Sequence, residues 1–221
     1  MRNNEKLDII YEDKDFLVVD KPSGLLTIST DKEKEKTLFH KAYMYIKKKN
    51  KNNKIFIVHR LDKDTSGIVL FAKSENIKIK LQNDWDKLAT ERKYIAIVRG
   101  NVEKQNGQIV SWLKETKTLM TYSSDKPSDG KKAITNYRVV SSNDRYTLLD
   151  IDIKTGRKNQ IRVHMKDIGH SIVGDHKYGS KDGYRRMFLH AYKLTIKHPV
   201  NGKILEFETD IPNEFVKLIE I

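Results

Sequence analysis

Short runs in which apolar and polar residues alternate make up most of this chain, and they predict strands more often than helices. Leu7–Tyr11 and Phe16–Asp20 predict short strands, joined by the polar turn EDKD. KPSG follows, a turn in which Pro22 fixes φ and Gly24 permits positive φ. Leu38, Ala42, Tyr43 and Ile46 fall at helical spacing and run out into KKKNKNNK (47–54), a basic loop. Two apolar, β-branched runs, IFIV and IVLFAK, then flank the polar segment HRLDKDTSG (59–67) and predict buried strands. Ile77, Leu81, Trp85 and Leu88 mark a second amphipathic helix with Ser74 as its N-cap.

Further along, KYIAIVRG (93–100), GQIVSWL (107–113), KAITNYRVV (132–140) and YTLLDIDIKTG (146–156) predict strands, with TYSSDKPSDGKK (121–132) as a polar, hairpin-like excursion. Residues 160–168 predict a third helix closed by Gly169. MFLHAYKLTIKH and KILEFETDI predict two more strands before a C-terminal helix, NEFVKLIEI. Strands that outnumber helices without alternating with them imply an α+β fold, a largely antiparallel mixed sheet with flanking helices. The 221 residues suit one domain spanning 1–221.

Composition narrows the function classes. The chain has no cysteine, which excludes disulfides and thiolate chemistry and disfavours zinc. Its apolar runs are too short to span a bilayer, and MRNNEKLDII lacks the apolar core of a secretory signal, so a cytoplasmic location is expected. Lys and Arg total 43 against 30 Asp and Glu, a net charge of +13. Such a surplus suits a polyanionic partner, or serves only solubility.

HRLDKDTSG carries the densest chemistry. Asp62, Asp64, Ser66 and Gly67 match the first half of a calcium loop, but the twelfth position is Lys73 where a bidentate glutamate is required. A Ser–His–acid hydrolase built on Ser66 and His59 lacks the G-x-S-x-G elbow. The plain alternative is a turn whose Asp and Thr side chains cap backbone amides. In TGRKNQIRVH (155–164) a glycine turn beside Arg157 enters the third helix, where Ile161, His164, Met165 and Ile168 share a face. An arginine there suits a phosphate or a carboxylate. His164, His170 and His176 recur every six residues, a spacing that matches no metal site, and no metal is expected.

In this order, DKPSGLL (20–26), HRLDKDTSG (59–67), KYIAIVRG (93–100), TGRKNQIRVH (155–164), VGDHKYG (173–179) and FLHAYKL (188–194) resemble the RNA pseudouridine synthases of the RluA type, ribosomal large-subunit and tRNA enzymes. The likeness covers nearly the whole catalytic domain and includes no separate N-terminal RNA-binding module. One position departs from the family pattern: Asn159 stands where a histidine is usual.

The resemblance implies the pseudouridine synthase catalytic fold and isomerisation of uridine in an rRNA or tRNA stem-loop, with no cofactor, membrane or protein partner, by a monomer. It implies that Asp62 acts as nucleophile, base or both, with Arg162 keeping it ionised and Tyr94 as the active-site tyrosine. Tyr94 and Ile161 would sandwich the flipped base, Arg60 would hold the RNA or fill the vacated space, and His59, Thr65 and Gln160 would line the substrate. Two other classes remain: a catalytically silent RNA-binding protein on the same fold, and a metal-dependent nucleic-acid phosphodiesterase.

Overall fold

The computed structural model describes residues 7–31, 33–179 and 183–220. In chain order these form β1 (Asp8–Glu12), β2 (Phe16–Lys21), α1 (Leu38–Lys49), β3 (Phe56–Ile57), β4 (Ser66–Ala72), α2 (Glu75–Asn83) and α3 (Trp85–Leu88). Next come β5 (Ala89–Arg99), β6 (Asn106–Glu115), β7 (Thr121–Ser124), β8 (Lys131–Ser142), β9 (Tyr146–Ile153) and α4 (Gln160–Asp167). β10 (Leu189–Lys197), β11 (Ile204–Glu208) and α5 (Asn213–Glu220) close the chain. The fold is α+β with antiparallel strand pairing, as the alternation predicts. Ile221, the end of the predicted C-terminal helix, lies outside the described residues.

The chain divides into two compact units, residues 1–90 with 193–209, and residues 91–192 with 210–221. In the first, β2 pairs antiparallel with both β1 and β4. Asp13 Oδ1 accepts from the Asp15 and Phe16 amides at 2.8 and 2.6 Å, which closes the EDKD turn. Phe16–Val19 and the whole of β4 are buried, so the apolar runs that predicted strands form this unit's floor. α1 is started by Thr37, whose Oγ1 accepts from the His40 amide at 3.1 Å, and Leu38, Ala42 and Ile46 pack inward. It extends through Lys47–Lys49, where positive charge complements the helix C-terminus, so only the end of KKKNKNNK is loop.

Ser74 caps α2 as expected, accepting from the Ile77 amide at 3.2 Å. The predicted second helix is nevertheless two: Asp84 leaves helical geometry at φ −121°, ψ 28°, and α3 restarts at Trp85. The i, i+4 pattern reads straight through this break because Leu81, Trp85 and Leu88 still face the same core.

In the second unit β5, β9, β8, β6 and β7 neighbour one another in that order, all antiparallel. The excursion at 121–132 contains β7 and a single 3₁₀ turn, Pro127–Asp129. One face of β5 and β9 packs Ala96, Val98, Leu149 and Ile151 against Ile161 and Met165 of α4. The other face packs Ile95 and Ile97 with Phe215 and Leu218 of α5. Among the described residues no helix is long and apolar enough to cross a membrane.

Candidate active site

In the first unit, the loop between β3 and β4 carries HRLDKDTSG, and the KPSGLLT segment holds it from below. Thr27 Oγ1 donates to the Leu61 carbonyl at 2.8 Å and accepts from the Leu61 amide at 3.2 Å. The Lys63 carbonyl accepts from the Gly24 amide and from Lys21 Nζ, both at 2.9 Å, and Ser23 Oγ donates to the Asp64 carbonyl at 2.7 Å. The backbone is therefore fixed on either side of Asp62. Gly24 adopts φ +83°, open to glycine at little cost, which turns its amide onto Lys63.

Lys21 has no exposed surface. Besides Lys63 it donates to the carbonyls of Pro22 at 3.0 Å and Leu25 at 2.7 Å, so three carbonyls match the three N–H donors of a buried ammonium. Asp62 itself is half-buried, Arg60 is exposed, and Thr65 and Ser66 are buried. The Thr65 amide donates to the Asp62 carbonyl at 3.2 Å, which tightens the turn after the aspartate. His59 stacks on Trp85, ring centroids 4.8 Å apart, and its Nε2 accepts from the Leu70 amide at 3.0 Å, anchoring the loop to β4.

In the second unit, the TGRKN turn leads from β9 into α4. Gln160 uses all four of its amide positions: Oε1 accepts from Thr155 Oγ1 at 2.7 Å and the Arg157 amide at 3.0 Å. Its Nε2 donates to the Ile134 carbonyl at 3.0 Å and Thr135 Oγ1 at 2.9 Å, so the side chain clamps the turn to β8. Asn159 sits at φ 55°, a left-handed conformation that asparagine tolerates. Its Oδ1 accepts from the Tyr178 hydroxyl at 3.1 Å and Lys177 Nζ at 3.3 Å. The residue that departs from the family pattern thus has its own contacts.

Arg162 is buried and faces Asp175, whose side chain has no exposed surface. Nε reaches Oδ2 and Nη2 reaches Oδ1, each at 2.7 Å, a bidentate pair. Asp175 Oδ1 also accepts from the amides of Lys177 and Tyr178 at 3.0 and 3.1 Å, and the guanidinium lies 5.1 Å from the Tyr178 ring centre. Just before Asp175, Gly174 adopts φ +76° hard against the Arg186 backbone, where a Cβ would lie 1.9 Å from the carbonyl oxygen. Tyr94, opposite Ile151 in the sheet, packs on the same apolar cluster as Ile161.

His164, on α4, is fully buried, with Ser111 Oγ 2.9 Å from Nε2 and Thr135 Oγ1 2.8 Å from Nδ1. Burial lowers its pKa to about 4. His170 instead meets the Arg99 carbonyl and His176 the Tyr184 carbonyl, so the six-residue histidine repeat has three separate uses. Among the described residues no three His, Asp or Glu side chains are grouped to hold a metal.

Two residues central to this geometry, Lys21 and Asp175, were not singled out by the sequence. Their only signal is membership of the strings DKPSGLL and VGDHKYG.

The family model described as RNA pseudouridylate synthase matches residues 15–167. The chain is 37% identical over 222 residues to ribosomal large subunit pseudouridine synthase D of Borreliella burgdorferi, covering 97% of this chain and 68% of that protein. It is 36% identical over 222 residues to the uncharacterized RNA pseudouridine synthase YlyB of Bacillus subtilis, covering 97% of this chain and 72% of that one. Its fold matches Human RNA Pseudouridylate Synthase Domain Containing 4 with a TM-score of 0.77 at 23% identity, over 95% of this chain and 90% of the human one. Motif order, fold and overall similarity agree, and the chain belongs to the RNA pseudouridylate synthase family, isomerases that act on RNA.

Proposed function

We propose that this enzyme converts uridine to pseudouridine in structured ribosomal large-subunit RNA, with Asp62 as the catalytic carboxylate. The substrate class is supported by the relative named for the large ribosomal subunit, and a cationic surplus of +13 suits it. The reaction breaks N1–C1′, turns the base, and joins C5 to C1′; C5 loses a proton and N1 gains one. Atoms and electrons balance within the nucleotide, so the proposal needs no cofactor. We read the enzyme as a cytoplasmic monomer.

Arg162 and Tyr94 complete the proposed catalytic set, with Ile161 and Tyr94 taking the flipped base and Arg60 holding the RNA. Flipping a base costs a few kcal/mol, and aromatic stacking returns about 1–3 kcal/mol. Two of the five N–H donors of Arg162 serve Asp175. His59, Thr65 and Gln160 line the substrate in this reading, and the His59 and Gln160 side chains also hold backbone around it.

The observation that carries this reading is the brace around Asp62: the carbonyls of Leu61, Lys63 and Asp64 all accept from residues 21–27. Such preorganisation suits a side chain that must meet a reacting atom. The test is tritium release from large-subunit rRNA labelled at uridine C5. Wild type should release tritium and the near-isosteric Asp62→Asn should release none. Turnover by Asp62→Asn would end the assignment.

A further inference from the structure

In the second unit a hollow of about 570 Å³ opens between β6, the β7–β8 turn and the TGRK segment. Lys114, Lys131, Arg157 and Lys158 line it together with two carboxylates, Glu115 and Asp129. Both carboxylates are engaged. Glu115 pairs with Lys158, and Asp129 accepts from Ser124 Oγ at 2.6 Å and Ser128 Oγ at 3.3 Å. Among the described residues Lys114 and Lys131 have no carboxylate partner. The Arg157 side chain is fixed by its Nε, which donates to the Lys132 carbonyl at 3.0 Å.

The wall is built, not a loose fringe of lysines. Gly130 lies flat on Leu113, where a Cβ would come within 2.5 Å of the carbonyl oxygen, so a larger residue would force the wall apart. Leu113 in turn packs with Val163 of α4, the helix that bears Ile161 and Arg162. A concave site with unneutralised Lys114, Lys131 and Arg157 suits phosphodiesters, because each phosphate bound releases counterions.

We infer that this hollow seats the sugar–phosphate backbone of the substrate strand beside the target uridine. The inference rests on the proposed RNA substrate and adds Lys114, Lys131 and Arg157 as residues that set register along the strand.

The chain has no cysteine, so Ser128→Cys provides a unique thiol on the hollow's rim without removing a cation. Iron–EDTA tethered there should cut unmodified large-subunit rRNA, transcribed in vitro, within a few nucleotides of the uridine that the enzyme modifies. Lys114→Ala with Lys131→Ala should weaken binding of the same RNA and make the log–log dependence of affinity on salt shallower by about 1.5. Lys217→Ala, on α5, which packs on the face of β5 and β9 opposite α4, is the control for a general loss of charge and should leave the slope unchanged. Cuts that are absent or remote while pseudouridine is still formed overturn the inference alone, as does an unchanged salt slope in the double variant. Absence of both cuts and product overturns the substrate reading with it.

Discussion

The ammonium of Lys21, entirely buried, donates to the Lys63 carbonyl at 2.9 Å, one residue past Asp62. A lysine is seldom so enclosed, and here three backbone carbonyls accept from its ammonium. DKPSGLL and HRLDKDTSG are therefore one device: the first string holds the second in shape.

Lys21→Met keeps the apolar stem and deletes the donors, taking this partner from the Pro22 and Leu25 carbonyls while the Lys63 carbonyl keeps the Gly24 amide. An unsatisfied buried group costs about 1–3 kcal/mol, so urea unfolding should show a loss of roughly 3 kcal/mol after partial relaxation. If the lysine also positions Asp62, the single-turnover rate at saturating RNA should fall by more than the affinity for RNA. Unchanged stability would show that these carbonyls do not depend on this ammonium.

Asn159 offers a sharper separation of backbone from side chain. Glycine there removes the φ penalty of about 1–2 kcal/mol for a left-handed L-residue but loses the acceptor for Tyr178 and Lys177; alanine suffers both. Asn159→Ala should therefore melt below Asn159→Gly, and both below wild type. Equal melting temperatures for glycine and alanine would mean that the turn relaxes to another conformation.

Stability should also depend on pH through two buried histidines. Burial lowers His164 to about 4, and burial together with the nearby Arg186 lowers His190 to about 4. Both stay neutral in the native state while their unfolded counterparts take up protons near 6.5, so the unfolded state binds more protons between about 4 and 6.5. Stability should be flat above pH 6.5 and fall as pH drops to 4, by roughly 3 kcal/mol per histidine. Urea unfolding across this range checks it, and His164→Gln should remove about half of the slope.

Much of this was legible along the chain, and what was not has a common cause. The flanks of HRLDKDTSG read as buried strands because apolar, β-branched runs leave few other solutions; β4 is buried throughout. Ser74 announced a helix start through a hydrogen bond only three residues long. The break at Asp84 was invisible because both pieces keep the same inward face. The Lys21–Lys63 contact spans 42 residues, and Arg162–Asp175 joins two strings through a turn whose geometry no periodicity encodes. The amide of Gln160 is filled by four partners, two of them 25 or 26 residues away and two within the turn itself, and no periodicity encodes the distant pair. Residue type locates the chemistry; partners are decided by tertiary packing.

Arg162 carries the most discriminating prediction, because its structural and catalytic roles can be pulled apart. Losing one member of a buried ion pair costs about 3–5 kcal/mol, since the other charge is left uncompensated. Arg162→Ala and Asp175→Ala should each destabilise by that order, and Arg162→Ala should abolish turnover nearly as completely as Asp62→Ala. Replacing the pair by apolar residues of similar volume, Arg162→Met with Asp175→Leu, should recover most of the stability, as buried pairs often allow. If Arg162 only held Asp175, that double variant would regain activity with its fold. If the guanidinium is what keeps Asp62 ionised, the double variant folds and melts near wild type yet releases no tritium.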